Sequence, residues 1–485
     1  MTVTPQENLS LEAFARAYPA YLETRHLDRI RVDDFGQLDE QDLIYLDYTG
    51  SGLPSRTQLR AYEHAMGNAI WGNPHSASGP SQRSTEAMRH AREATLRFVH
   101  ADPEEYSVIF TANATGALRL VGESFPFQPG ARLALLRDNH NSVLGIREYA
   151  RARGAITETI ALRPDLRADT SAVLEVLDRA PTAPSLFAYP AQSNFSGVQH
   201  PLEWIADAHA GGWLVLLDAA AYAPISDLDL RQHKPDFVSL SYYKIFGWPT
   251  GLGCLIARTE ALARLRRPWF AGGTVVASSA LGGWHASAEP PDNFEDGTPD
   301  FLGVLGVPIG LDYVRQTLDR EAVRTRARCL TEYLLEVMPQ LRHDNGRPVC
   351  TLYGPTDMRG RGPTIAFNLL DVDGTLIDER VAENRAVQHG IALRAGCFCN
   401  PGVGETIFEL DPANLVRVGT DRAGLRTLDD YRRAIGLPTG GALRISLGPV
   451  SNLDDVLAFH RYLRSWRDYR SSAGRLDTLP DRQRC

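Results

Sequence analysis

This 485-residue chain has no apolar run of bilayer-spanning length, which excludes a membrane-spanning helix, and no long lysine or arginine block that could follow a nucleic-acid backbone. Its 59 acidic residues outnumber the 51 basic ones for a formal charge of −8, so neither nucleic acid nor membrane is expected as a partner. The start, Met1-Thr-Val-Thr-Pro-Gln-Glu-Asn8, lacks the basic opening and apolar stretch of a signal peptide, and the expected location is cytoplasmic. Cysteine is sparse. The six residues at 254, 329, 350, 397, 399 and 485 show no framework spacing, which favours reduced thiols, and no second ligand pair at metal spacing, so no metal is expected. Neither an internal repeat nor a low-complexity block is present; the 41 glycines and 30 prolines are spread among loops.

Apolar residues make up 43% of the chain, enough for a large core divided into two or three units. Residues 1–42 read as a helix-rich lead-in, with apolar residues at helical spacing from Leu11 to Thr24, and Ile44-Tyr-Leu-Asp47 enters as a short strand. Seven apolar strands then alternate with helices: Ser107 to Phe110, Arg132 to Leu136, Ile156 to Ile160, Ser185 to Tyr189, Trp213 to Leu217, Phe237 to Leu240 and Leu252 to Ala257. That alternation predicts an α/β fold, a mostly parallel seven-stranded sheet covered on both faces, in a large domain over 43–308. Beyond it, helical patterns from Ile309 to Leu318 and Glu321 to Leu341, with strands from Thr364 to Leu369, Ile391 to Arg394 and Leu443 to Leu447, predict a smaller α+β domain over 309–485.

One pair of residues carries the most chemistry. The run Trp213-Leu-Val-Leu-Leu ends at Asp218, and the next strand ends just before Ser241-Tyr-Tyr-Lys244. Ligands of open α/β sheets bind beyond the carboxyl ends of strands, so the Asp218 carboxylate and the Lys244 amine are expected to enter one crevice. The combination suits pyridoxal phosphate (PLP), which needs an amine to hold its aldehyde and an acid to keep its pyridine nitrogen protonated. Either residue alone would read as a solvated charge or a helix cap.

Phe110-Thr-Ala-Asn-Ala-Thr115-Gly follows a strand and opens a helix, so the N–H groups of Ala114, Thr115 and Gly116 could cradle a phosphate, with the Thr115 and Ser241 hydroxyls as further donors. Taken alone, it is a common capped turn. His140, in Asp138-Asn-His-Asn-Ser-Val143, could stack on a pyridine ring or cap the following helix. Asn194, in Ala191-Gln-Ser-Asn-Phe-Ser-Gly197, could bond the cofactor's 3-oxygen or the substrate, or serve the turn.

The chain order of Tyr45-Leu-Asp, Gly72-Asn-Pro-His75-Ser, Thr111-Ala-Asn-Ala-Thr, Asp138-Asn-His-Asn-Ser-Val, Pro190-Ala-Gln-Ser-Asn-Phe-Ser-Gly, Leu217-Asp-Ala-Ala, Ser241-Tyr-Tyr-Lys-Ile-Phe-Gly, Gly272-Gly-Thr, Phe294-Glu-Asp-Gly-Thr, Leu393-Arg-Ala-Gly-Cys-Phe-Cys-Asn-Pro-Gly and Arg444-Ile-Ser-Leu-Gly resembles that of a known group. It is the class V aminotransferase and cysteine desulfurase group of fold-type I PLP enzymes, and within it most nearly the PLP domain of molybdenum cofactor sulfurases. The resemblance covers nearly the whole chain. It implies Lys244 as Schiff-base lysine, Asp218 on the pyridinium nitrogen, His140 on the ring, Asn194 near the 3-oxygen, and Ala114, Thr115 and Ser241 on the phosphate. It also implies that Gly273-Thr274 reaches the phosphate of a neighbouring subunit, making a homodimer with shared active sites. Arg444 would grip the substrate carboxylate, a task that suits a bidentate guanidinium. His75 and Thr49-Gly-Ser-Gly52 are expected near the substrate side chain.

In Cys397-Phe-Cys399, a disulfide between the two cysteines would be strained. The family pattern makes Cys399 the persulfide-forming nucleophile; a small structural cysteine is the other reading. The implied reaction removes sulfur from L-cysteine, with Lys244 taking the α-proton, Cys399 taking the sulfur, alanine leaving and a sulfur-acceptor protein downstream. The alternative is a C–S lyase acting by β-elimination on a cysteine conjugate, which needs Lys244 but not Cys399. The sequence departs from the family at Tyr243, where many desulfurases have histidine, and at Val403-Gly404, where sulfurases often have another cysteine. Sulfurases usually also carry a further C-terminal domain, and none is expected here. Outside PLP chemistry, Ser241-Tyr-Tyr-Lys244 matches the Ser-x-x-Lys of acyl-enzymes, whose Ser-Asp-Asn and Lys-Thr-Gly partners are absent.

Overall fold

The computed structural model describes residues 10–421, 423–471 and 479–482, so the start read above for a signal peptide lies outside it. Strand β1 is Ile44–Tyr45. Strands β2 to β8 are Tyr106–Thr111, Arg132–Leu136, Ile156–Ile160, Leu186–Pro190, Leu214–Asp218, Phe237–Ser241 and Gly253–Arg258. These seven form one sheet in the order β2-β8-β7-β6-β5-β3-β4. The ladders among β3 to β7 are parallel, and β8 runs antiparallel to both its neighbours.

The strand runs were legible because both faces are covered. In β3, Leu133 and Leu135 enter one core while Ala134 and Leu136 enter the other; in β6, Leu214 and Leu216 alternate in the same way with Val215 and Leu217. A strand buried on both sides leaves an uninterrupted apolar run rather than an alternating one. Since β2, β3, β5, β6 and β7 point the same way, their carboxyl ends at Thr111, Leu136, Pro190, Asp218 and Ser241 open on one edge of the sheet.

Strands β9 (Val275–Ser279) and β10 (Trp284–Ser287) form an antiparallel hairpin that the sequence reading missed. Its exposed side chains give it no apolar face to signal it: Val276, Leu281 and Trp284 all face solvent. A second sheet has the order β11-β12-β15-β14, from Cys350–Tyr353, Thr364–Leu369, Ala442–Ser446 and Arg394–Gly396 respectively. The remaining strand, β13 (Ile391–Ala392), pairs in parallel with β1, and a further bridge joins Asp47 to Ser446. Residues 44–47 are thereby stitched to the second sheet.

Proline breaks two of the expected helices. The lead-in divides at Pro19 into Leu11–Ala17 and a 3-10 turn over Pro19–Thr24, and Arg320–Val337 gives way to a 3-10 turn containing Pro339. Phe14 packs edge-on against Tyr333 of the latter helix and joins the core beneath the second sheet with Tyr18 and Tyr21, while Leu27, Phe35 and Leu38 of the lead-in enter the core of the large sheet. Among the described residues, no helix is long and apolar enough to cross a membrane. Cys254, Cys329, Cys350 and Cys399 are free, but Cys397 is disulfide-bonded, which departs from the expectation of reduced thiols. A single such bond needs no framework spacing, so the sequence carried no sign of it.

Candidate active site

At the carboxyl edge of the large sheet lies a cavity of ≈ 140 Å³ lined by Asn113, Ala114, Thr115, Leu118, His140, Ser142, Pro190, Gln192, Asn194, Asp218, Ala220, Ala221, Ser241, Tyr243 and Lys244. Seven of the residues singled out in the sequence thus converge from the ends of five strands: Ala114, Thr115, His140, Asn194, Asp218, Ser241 and Lys244.

Lys244 lies in the short helix Tyr242–Phe246, which Gly247 ends at φ +80°. A Cβ at Gly247 would sit 2.2 Å from the Leu53 carbonyl carbon, so both the backbone conformation and the close approach of the 53–54 segment require glycine there. The chain has two lysines, a signal the sequence reading passed over. Lys234 is exposed and paired with Glu105 at 3.1 Å. Lys244 is half-buried, and desolvation pushes its pKa down; Asp218 opposes this, while Arg444 and Arg394 add to it. A smaller, mostly apolar space of ≈ 30 Å³ adjoins Lys244 on a second side, walled by Phe35, Leu53, Val314 and Val450 among others. Desolvation there favours the neutral amine, the form able to act as nucleophile or base.

Asp218 is 8% exposed and accepts hydrogen bonds from Ser239 Oγ at 2.9 Å and from Ala220 N–H at 3.1 Å. Both fall on Oδ1, leaving Oδ2 to receive a proton-bearing nitrogen. His140 caps the helix Asn141–Leu144 by accepting the Ser142 N–H on Nδ1 at 3.1 Å. The two readings of this residue are compatible, for the capping ring is also part of the cavity wall. Burial lowers its pKa, with Lys244 and Arg444 in the same sense and Asp218 opposed, which favours the uncharged ring; with Nδ1 accepting the Ser142 N–H, that neutral ring carries its proton on Nε2.

The turn at 111–116 is built tightly. Asn113 accepts the Gly116 N–H at 3.0 Å, and Ser241 Oγ accepts the Ala114 N–H at 2.9 Å, which leaves the Ser241 hydroxyl proton to give. Thr115 Oγ1 lies 2.7 Å from Ser142 Oγ, itself 3.0 Å from His140 Nδ1. An amine, a carboxylate and a neutral imidazole, with hydroxyls clustered at a helix N-terminus, form a donor set that fits the aldehyde, pyridine nitrogen, ring and phosphate of PLP.

Arg444 does not line this cavity but adjoins it. Its Nη1 donates to Asn194 O and its Nη2 to Asp47 Oδ1, each at 2.9 Å. Asp47 Oδ2 in turn accepts from Arg394 Nε at 2.9 Å and Nη2 at 2.6 Å. Arg394 and Arg444 are cross-strand partners on β14 and β15 and face the same way. Neither Asp47 nor Arg394 was assigned a role from sequence, although both lie in the motifs Tyr45-Leu-Asp and Leu393-Arg-Ala-Gly.

Cys399 is half-buried in a loop docked against the cavity wall. Phe398 and Cys399 take left-handed conformations, at φ 55° and 53°. Three hydrogen bonds hold them: Asn141 N–H to Cys399 O at 2.7 Å, Asn194 Nδ2 to Phe398 O at 2.8 Å and Asn400 Nδ2 to Asp138 O at 2.7 Å. The Phe398 ring meets Phe195 edge-on and lies beneath the Arg444 guanidinium. Asn194 therefore reaches the cavity while its side-chain amide holds the cysteine loop. Thr274 and His75 stand apart from the cavity: Thr274 closes a turn with Ala271 at the root of the β9–β10 hairpin, and exposed His75 lies beside Gly273.

Residues 44–459 match the family described as aminotransferase class-V. The chain is 36% identical over 459 residues to the molybdenum cofactor sulfurase of Bos taurus, covering 90% of this chain and 51% of that protein. It is 34% identical over 497 residues to the molybdenum cofactor sulfurase of Solanum lycopersicum, covering 96% and 60%. The matches thus span only 51% to 60% of the length of these relatives. Among solved structures, the apo cysteine desulfurase of Thermococcus onnurineus NA1 aligns with a TM-score of 0.75 at 23% identity, over 90% of this chain and 97% of that one. The cystine C-S lyase C-DES, solved with its reaction product cysteine persulfide, aligns with a TM-score of 0.66 at 17% identity, over 88% and 98%. At these identities the likeness establishes the α/β fold.

Proposed function

The chain belongs to the aminotransferase class-V family, and from that premise we propose that it is a PLP-dependent cysteine desulfurase, forming a persulfide on Cys399 and releasing alanine. The observation that carries the reading is Cys399 docked by its own carbonyl onto Asn141, next to His140 in the wall of the Lys244 cavity. The two solved neighbours, one a desulfurase and one a C-S lyase, share the fold, so the fold does not choose between sulfur capture and release.

Lys244, Asp218, His140, Asn194, Thr115 and Ser241 are the residues assigned to hold PLP; Ala114 lines the turn, but its N–H is given to Ser241 Oγ and that of Gly116 to Asn113, so of the three N–H groups expected on the phosphate Thr115 keeps the role. When bound, PLP supplies an electron-withdrawing ring that stabilises negative charge on the substrate α-carbon. Asp218, fixed by Ser239 and Ala220, keeps a proton on the pyridine nitrogen. Lys244, whose desolvation favours the neutral amine, can take the α-proton. Arg444 binds the substrate carboxylate and so fixes which bond at the α-carbon faces Lys244. The Cys399 thiolate then attacks the substrate sulfur: the S–S bond of the persulfide forms as the substrate C–S bond breaks, the pair of that bond passing to the β-carbon, which takes up a proton to become the methyl group of alanine.

The assembly we propose is a homodimer. It is supported by the β9–β10 hairpin, which holds Val276, Leu281 and Trp284 out in solvent with Thr274 at its root. From there Thr274 would reach the partner's phosphate, and His75, beside Gly273, would sit near the shared entrance. A monomer in sedimentation would remove this part of the reading. A cytoplasmic setting and a sulfur-acceptor protein complete the proposal; the latter rests on the names of the sulfurase relatives.

The test is mass spectrometry of the purified, PLP-loaded protein after incubation with L-cysteine. One added sulfur on the Cys399 peptide is expected, with alanine as the other product. Pyruvate release that survives in Cys399→Ala, with no persulfide in the parent, would select the C-S lyase instead.

A further inference from the structure

Arg444 is 3% exposed and its Nε has no hydrogen-bond partner. A buried guanidinium with one idle donor calls for an explanation. Its neighbour Nη2 is held by Asp47 Oδ1, a single bond, because Asp47 Oδ2 is already taken twice by Arg394. Asp47 therefore half-occupies an edge of Arg444 that a free carboxylate could take side-on through both Nε and Nη2.

The charges agree with this. Two guanidiniums share one carboxylate, so Arg394, Arg444 and Asp47 together carry one unneutralised positive charge, largely buried at the Arg444 end. Glu383 lies near enough to Arg394 to raise its pKa, so the exposed end has a counter-charge of its own and the carboxylate still wanting is one at the Arg444 end. Burial pulls the Arg444 pKa down while Asp47 pulls it up, so Asp47 is what stabilises this cation where it lies. Arg394 is half-exposed and can follow Asp47 without leaving water.

We propose that Asp47 is a displaceable counter-ion for Arg444: it holds the guanidinium in place before substrate arrives, then passes wholly to Arg394 as the substrate carboxylate takes over the Nε–Nη2 edge. Asp47 and Arg394 are thus positioning residues that set amino-acid affinity through Arg444. This rests on the reading of Arg444 as the carboxylate-binding residue.

The experiment is calorimetric titration of the PLP-loaded protein with L-alanine, which carries the carboxylate but no sulfur. Asp47→Asn removes the competitor and should tighten binding by about fivefold or more, while Arg394→Gln leaves Asp47 to Arg444 alone and should weaken it by a similar factor. In the Asp47→Asn background, Arg394→Gln should change the affinity by less than about twofold. If Asp47 only braces the fold, both single variants weaken binding together, and that result overturns the inference. Should Asp47→Asn fail to fold, Arg394→Gln at its half-exposed position carries the test, and unchanged affinity there overturns the inference as well. A parent that binds neither L-alanine nor L-cysteine overturns the underlying reading, and this inference with it.

Discussion

Replacing Asn400, which does not itself line the cavity, by alanine should release the cysteine loop. The Asn400 side chain is fully buried and its Nδ2 donates twice, to Asp138 O at 2.7 Å and to Asn194 Oδ1 at 3.0 Å. Alanine leaves the Asp138 carbonyl buried and unpaired and the half-buried Asn194 Oδ1 without its donor, so docking should weaken by about 1.5 to 2 kcal/mol, or roughly 10- to 30-fold in the docking equilibrium. The loop is poised to use that loss, because Phe398 and Cys399 each hold a left-handed conformation that opposes docking by about 1 to 2 kcal/mol. What remains is the Phe398–Phe195 contact, the Arg444 guanidinium over the Phe398 ring, the disulfide at Cys397 and the two other hydrogen-bond anchors. The assay is the rate of iodoacetamide labelling at each cysteine, read by peptide mass spectrometry in the PLP-loaded protein. Cys399 labelling should rise at least tenfold or so, and persulfide yield should fall. Buried Cys254, Cys329 and Cys350 report global unfolding, and their rates should stay put. Asn400→Asp keeps the shape but loses the donor, and should behave like alanine. Labelling of Cys399 at the parental rate in both variants would refute the claim that this clasp holds the loop.

Lys244→Ala should abolish the visible absorption band of a PLP Schiff base while the protein stays folded; Lys234, exposed and paired with Glu105, cannot substitute. A band of undiminished intensity in the variant would remove Lys244 from its role. In the core of the second sheet, His460 is buried, and burial, with Arg464 and Arg461 adding to it, holds its pKa down from 6.5 to about 4. A base whose folded pKa is depressed takes up its proton in the unfolded chain first, so its contribution is intact above about 6.5 and is lost as the pH falls toward 4. Melting temperature should drop across that window, and His460→Gln should flatten the drop; an identical acid profile in the variant would contradict it.

The seven strands of the large sheet were legible from sequence to within one residue at each end, because two-sided burial writes itself into short apolar runs such as Leu133 to Leu136. The same edge geometry made Lys244 and Asp218 legible, since residues just beyond adjacent parallel strands fall into one crevice. The β9–β10 hairpin and β11 were missed for the converse reason: apart from Cys350 their side chains are exposed or only half-buried, and a period without a buried face leaves little trace.

What the sequence determined by itself was the large sheet and the convergence of its chemistry on Lys244, because both follow from local pattern and from which end of a strand a residue occupies. Which groups hold Arg444 and Cys399 was decided only by tertiary structure. Asp47 meets Arg444 across 397 positions of chain, and Asn400 meets Asn194 across 206. Such contacts depend on how residues 44–47 cross to the second sheet and how the cysteine loop folds back on the first. No local periodicity records that docking, since the free energy it rests on is that of buried polar pairs satisfied only once both sheets are in place.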